Sequence, residues 1–217
     1  ILFHEGDNNI SNLMEMGYWS NTYKLGKDDT IKFVIDEDVI NFEDQQFDIH
    51  DLPMHGKHNL SNVIMAMYAA FLYGIHPEDS FLALKSSKGV KRRFETVFQN
   101  DNKVIIDDFA HHPTAILHTV QAAINHFSSK KILGIIELAS NTMSQGHHGA
   151  ELYESASGLE KVYWLNLSSQ RNMEFEYDSI KLLLADLKKD IDNFDVILIM
   201  SNKDSKKISE PIIDLIS

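Results

Sequence analysis

The chain has 217 residues, 43% hydrophobic and 24% charged, with only 10 Gly and 4 Pro, which excludes a disordered, collagen-like or low-complexity polymer and leaves one large domain or two small ones. Lys and Arg number 20 against 32 Asp and Glu, a formal net charge of -12, which argues against a broad nucleic-acid or anionic-membrane surface while leaving room for a local basic cluster. The lack of cysteine excludes a disulfide scaffold, a thiolate metal site and a cysteine nucleophile. No apolar run approaches the roughly 20 residues of a membrane-spanning helix, so a cytoplasmic protein that binds neither nucleic acid nor membrane is expected.

The opening ILFHEGDNN reads as a strand already inside a fold, so the native chain is expected to start before Ile1. Residues 1–56 read as short strands and loops. Within them Ile31-Lys32-Phe33-Val34-Ile35 and Val39-Ile40-Asn41-Phe42 flank the turn-like Asp36-Glu37-Asp38 and predict a hairpin. Leu60, Val63, Ile64, Met67 and Phe71 fall at helical spacing, which predicts a helix from about Asn59 that Gly74 ends. Pro77 opens a second, shorter helix carrying Phe81, Leu82 and Leu84. The polar run Ser86-Ser87-Lys88-Gly89 marks a domain boundary.

Beyond the boundary the pattern changes. Strands are predicted at 94–98 and 104–106, joined by the turn Asn100-Asp101-Asn102, and a helix after Pro113 places Ile116, Val120, Ala123, Ile124 and Phe127 on one face. Apolar runs at 131–138, 161–167 and 195–200 read as strands, with helices at 149–158, 178–192 and 207–217. Strands separated by helices imply crossover connections. The expected fold class is therefore α/β, with a Rossmann-like, mostly parallel sheet over 90–217.

An α/β chain invites a search for a phosphate loop, and neither G-x-x-x-x-G-K-[ST] nor G-x-G-x-x-G occurs in these 217 residues. The segment His55-Gly56-Lys57-His58-Asn59-Leu60-Ser61-Asn62 opens a helix. Asn59 at its N-cap and Asn62 one turn on could present two amides to an adenine edge, or could simply cap the helix beside an incidental second Asn. Lys91-Arg92-Arg93 gathers three cations suited to phosphate or carboxylate, or to a solvated linker.

The segment Val104-Ile105-Ile106-Asp107-Asp108-Phe109-Ala110-His111-His112-Pro113-Thr114 ends an apolar strand in two carboxylates and leads through two histidines into a helix. The carboxyl end of such a strand is where open α/β sheets bind ligands. Adjacent aspartates point to opposite faces, so at most one faces a given ligand; in the plainer reading Asp108 caps the turn and the imidazoles bond locally. The pairs His111-His112 and His147-His148 lack metal-chelating spacing, and no metal site is expected. Glu137-Leu138-Ala139-Ser140-Asn141-Thr142-Met143 and Met200-Ser201-Asn202-Lys203 are two further strand ends. Trp19 and Trp164 read as packing residues.

Taken in order, HNLSN, KRRFE, DDFAHHPTAI, SNTM and MSN resemble the Mur ligase family of ATP-dependent amide-forming ligases. With GYWSNTYKL upstream, the chain is most similar to the family's murein peptide ligase branch. That branch joins UDP-N-acetylmuramate to the recycled tripeptide L-alanyl-γ-D-glutamyl-meso-diaminopimelate in peptidoglycan recycling. The resemblance implies that residues 1–88 are the tail of a central ATP-binding domain and 89–217 the C-terminal Rossmann-like domain. The phosphate loop, most magnesium ligands and the UDP-sugar site would then lie upstream, and this chain alone would be inactive.

The resemblance further implies that His58, Asn59, Asn62, Arg93 and Asp108 hold ATP, that His111 faces the reacting groups, and that Asn141 and Thr142 meet the incoming peptide. The oligomeric state stays open. Two stretches depart from the branch: Ala139-Ser140 stands where it has Pro-Arg, and Lys203-Asp204-Ser205-Lys206-Lys207 where it is glycine-rich. The first removes a charged fork for a carboxylate. A sibling reading is the ligase that adds L-alanine to UDP-N-acetylmuramate, which usually has Tyr-Gly in place of Phe109-Ala110. A reading from another class is a nonenzymatic α/β module that binds a nucleotide or a protein partner.

Overall fold

Helical and extended periodicities alternate along the chain, and in the computed structural model they separate into two compact units, Ile1–Gly89 and Val90–Ser217. The structure describes residues 1–25, 33–36, 38–54, 56–139, 149–166 and 175–217.

The first unit begins with β1 (Leu2–His4), α1 (Asn8–Glu15) and β2 (Tyr23–Leu25), the two strands pairing in parallel from Leu2↔Tyr23 to His4↔Leu25. The sequence reading has no helix here, and α1 corrects it. Eight residues are too few to display a period, and the signal is the cap: the Asp7 carboxylate accepts from the Ile10 N–H at 3.0 Å. Next comes an antiparallel meander of β3 (Phe33–Asp36), β4 (Val39–Phe42) and β5 (Gln45–Asp48). The predicted hairpin is present in the register Phe33↔Phe42 to Asp36↔Val39, while β5 is an addition whose one buried side chain is Phe47.

The helix α2 (Lys57–Leu72) starts behind Gly56, whose φ of +93° suits glycine. Gly56 is therefore the cap, and Asn59 is the third residue of the helix rather than its N-cap. Gly74, at φ +86°, follows the end of α2 as expected, and α3 (Pro77–Ser86) opens on its proline. Phe33, Phe42, Tyr68 and Phe71 form an aromatic cluster with centroids 4.3 to 6.4 Å apart. Leu60, Val63, Ile64 and Met67 pack into the same core.

The second unit runs β6 (Glu95–Gln99), β7 (Val104–Asp108), α4 (Pro113–His126), β8 (Ile132–Glu137), α5 (Gly149–Glu154), β9 (Lys161–Leu165), β10 (Glu176–Tyr177), α6 (Ile180–Asp190), β11 (Val196–Met200) and α7 (Lys206–Ile216). The strands form one sheet in the order β10-β9-β8-β11-β7-β6. All neighbours are parallel except β6 and β7. That antiparallel pair is joined by the expected turn, in which Asn100 Oδ1 accepts from the N–H groups of Asn102 and Lys103 at 3.0 and 2.8 Å. The sheet is the mostly parallel α/β arrangement that the alternation implies. No helix among the described residues is long and apolar enough to cross a membrane.

Side chains alternate across this sheet and sort into two cores. Ile106, Ile136 and Leu198 pack with Ile116, Val120 and Ala123 of α4 and Leu152 of α5. Ile105, Ile135 and Ile197 pack with Leu183 and Leu187 of α6 and Ile208 and Ile212 of α7. The strands β8 and β11 are buried at every residue, as parallel strands covered on both faces are. Trp164 joins the first core, whereas Trp19 is 97% exposed and does not pack as expected. Since β11 lies between β7 and β8, and α7 leaves it toward the face opposite α4 and α5, adjacent strand ends send the chain to opposite sides. Such a switch opens a crevice at the carboxyl ends of the strands.

Candidate functional site at the carboxyl ends of β7, β8 and β11

The alternation of β7 turns Asp107 toward α7 and Asp108 toward α4, the divergence expected of neighbouring strand residues. Asp108 is 1% exposed. Its Oδ2 accepts from the Phe94 N–H at 2.8 Å, and its Oδ1 from the Ala110 N–H at 2.8 Å and the Thr119 hydroxyl at 3.2 Å. This carboxylate ties three segments together.

Asp107 is the hub of a second network. Its Oδ2 accepts from the Ser205 hydroxyl at 2.6 Å and from Arg92 Nε at 3.2 Å. Its Oδ1 is buried without a hydrogen-bond partner among the described residues. Burial pushes the Asp107 carboxyl above the usual carboxylate value, against the opposing pull of Ser205 and Arg92. At the end of β8, buried Glu137 accepts from the Ser201 hydroxyl, whose oxygen in turn accepts from the Lys203 N–H at 2.9 Å.

Arg92 joins these groups. Its Nη2 donates to the Ser201 carbonyl at 2.5 Å and its guanidinium lies 5.1 Å from the centroid of the Phe109 ring. Its own N–H donates to the Glu95 carboxylate at 2.7 Å, and its carbonyl accepts from the Phe109 N–H at 2.8 Å. Arg92 and Phe94 both hold left-handed backbone, at φ +58° and +56°. That conformation costs an L-residue about 1–2 kcal/mol and persists where surroundings over-determine it. Arg93, between them, is exposed, with no side-chain hydrogen bond or ion pair among the described residues.

His111 is half-buried and its Nδ1 lies 2.8 Å from the Phe109 carbonyl. A carbonyl only accepts, so Nδ1 carries the hydrogen, and in the neutral ring Nε2 is left with its lone pair. His112 occupies the N-cap position of α4 and is exposed.

In the first unit the two amides differ: Asn59 is buried and Asn62, one turn on, is exposed. Between them Ser61 shares a 2.6 Å hydrogen bond with His4 Nε2 at the end of β1. The side chain of His58, together with Asn141, Thr142 and the His147-His148 pair, lies outside the described residues. Among the described residues no group of three or more His, Asp or Glu side chains gathers as a metal site.

Arg92, Asp107, Glu137, Ser201 and Ser205 lie in stretches that the sequence singles out, and the structure adds the hydrogen bonds that join them. The strand ends at 137 and 201 are visible in the sequence, but the insertion of β11 between β7 and β8 is not.

Residues 92–203 match the family described as Mur ligase, glutamate ligase domain. The chain belongs to the Mur ligase family. Over 171 residues, 76% of this chain, it is 32% identical to the UDP-N-acetylmuramate--L-alanyl-gamma-D-glutamyl-meso-2,6-diaminoheptandioate ligase of Escherichia coli. Over 130 residues, 59% of this chain, it is 38% identical to the UDP-N-acetylmuramate--L-alanine ligase of Christiangramia forsetii. These stretches are 37% and 28% of the two ligases, so the chain spans well under half the length of the curated relatives it matches. Its fold is similar to that of a murein peptide ligase from Psychrobacter arcticus, with a TM-score of 0.71 over 99% of this chain and 50% of that one at 23% identity.

Proposed function

We propose that this chain is the C-terminal part of an ATP-dependent ligase that joins the carboxylate of UDP-N-acetylmuramate to the amine of a murein tripeptide, in peptidoglycan recycling. The observation that carries the reading is the Mur ligase motif Asp107-Asp108-Phe109-Ala110-His111-His112-Pro113 lying at a switch-point crevice of the sheet. In this reading residues 1–88 are the tail of the ATP-binding domain and 89–217 the domain that brings the amine.

The roles follow from exposure. The Asn62 amide and the Arg93 guanidinium face solvent and suit an adenine edge and a phosphate. Asn59, buried in α2, and His58 are assigned to the same nucleotide. Asp108 contributes by fixing the loop rather than through a free carboxylate. His111 acts at the reacting groups through Nε2. Asn141 and Thr142 meet the peptide. Magnesium supplies charge neutralisation at the phosphates of this reaction class, and most of its ligands are assigned to the part of the enzyme outside this chain.

The test is an assay of the full gene product with ATP, magnesium and UDP-N-acetylmuramate, offered either the tripeptide or L-alanine. Phosphate release and amide product that depend on the tripeptide are expected, and the 217-residue chain alone should not exceed a blank. Turnover with L-alanine alone would establish the second reading, which the higher identity to an L-alanine ligase favours. Turnover with neither, from a folded protein, would overturn both.

A further inference from the structure

We infer that Arg92 is a positioning residue whose inward-facing guanidinium presents the neighbouring Arg93 to the phosphates of a nucleotide. The inference rests on the reading of Arg93 given above and goes beyond it by naming the device that aims it. Three cations stand in a row, yet only the middle one turns inward: Lys91 and Arg93 are exposed, while Arg92 is half-buried against Asp107, the Ser201 carbonyl and the Phe109 ring.

The contacts use the planar fork of the guanidinium. Nε reaches the end of β7 and Nη2 the loop after β11, so one rigid group holds two strand ends and the entry segment together. An ammonium offers its donors from a single point on a flexible stem, without the fixed, spread directions of the guanidinium. The backbone completes the device, because the left-handed residues at 92 and 94 flank Arg93 and reverse the chain around it. Four anchors fix that path: the Arg92 N–H on Glu95, the Phe109 N–H on the Arg92 carbonyl, the Arg93 N–H on the Val90 carbonyl at 3.1 Å, and the Phe94 N–H on Asp108. The result is a solvent-facing Arg93 on a backbone that has little freedom left to lose on binding an anion.

Arg92→Lys keeps the charge and removes the fork; Arg92→Gly relieves the left-handed backbone and removes the guanidinium. In the 217-residue chain both should speed amide exchange at Phe94 by about 10- to 100-fold, with the amides of β8 and β11 still protected. In the full gene product Arg92→Lys and Arg93→Ala should both raise the KM for ATP by about 5- to 50-fold, with kcat changed far less. Unchanged Phe94 exchange in Arg92→Lys, or full rescue by Arg92→Gly, overturns the positioning role whatever the kinetics show. Faster exchange with an ATP KM unmoved by Arg93→Ala overturns the nucleotide reading of Arg93 and the purpose assigned to Arg92, leaving a purely structural clamp. Faster exchange together with a raised KM in both variants supports the device.

Discussion

The second unit is closed where the first is open. Its central strands β8 and β11 are buried at every residue, and helices cover both faces of the sheet. The first unit contains a parallel pair, β1 and β2, of three residues each, bridged by an α1 without a buried residue. Leu13, Met16 and Trp19 stand 62%, 83% and 97% exposed. Parallel strands are almost always covered on both faces, and this short pair instead stands beside bare apolar side chains. The packed core of the first unit is instead the meander against α2, where the aromatic cluster sits.

The largest expected effect follows from that contrast. Residues 90–217 expressed alone should unfold in one cooperative urea transition, while 1–89 alone should show a broad transition or none. Limited proteolysis of the whole chain should leave a core beginning near residue 90. A resistant core centred on 1–89 would reverse the comparison.

A smaller effect separates structural from ligand-facing polar residues. Asp108→Ala strands three donors, the N–H groups of Phe94 and Ala110 and the Thr119 hydroxyl, and should destabilise the second unit by about 3 kcal/mol, since each unsatisfied buried group costs about 1–3 kcal/mol. Asn62→Ala, at an exposed position of the first unit, should stay within about 0.5 kcal/mol of wild type. Urea titrations of both variants check this. Wild-type stability for Asp108→Ala would mean that its carboxylate is not the tie its hydrogen bonds describe.

The same contrast marks what the sequence could reveal. The run from β7 into α4 is legible because an apolar strand, two carboxylates and a proline-initiated helix each leave a local mark. The hairpin of β3 and β4 and the helix opened by Pro77 are legible for the same reason. The short helix α1 is not, having one capping aspartate and no period, and β10 is two residues long. In the site, adjacent aspartates are known to diverge, but which one meets α4 and which meets α7 depends on helices distant in sequence. Arg92 and Arg93 look alike in a basic run, and Arg92 turns inward onto Asp107, Phe109 and Ser201, the last brought beside β7 by the strand order. Glu137 and Ser201 are 64 residues apart and meet because β11 pairs with β8.

The smallest expected effect sharpens the account of the open unit. A fully buried large apolar side chain is worth about 1.5–3 kcal/mol relative to an exposed one, so Trp19, at 97% exposure, contributes almost nothing to this chain. Trp19→Ser should therefore leave its stability within about 0.5 kcal/mol of wild type, as surface substitutions do. In a longer ligase whose upstream residues cover β1, α1 and the loop after it, the same substitution should cost about 1–3 kcal/mol. Trp19 fluorescence gives an independent check: emission at the wavelength of a solvated indole in this chain, and a blue shift in the longer protein, read against Trp164→Phe so that the buried indole of the second unit does not mask it. Equal cost and equal emission in both proteins would mean that this face stays bare, and the open character of the first unit would then be its own rather than the mark of a missing neighbour.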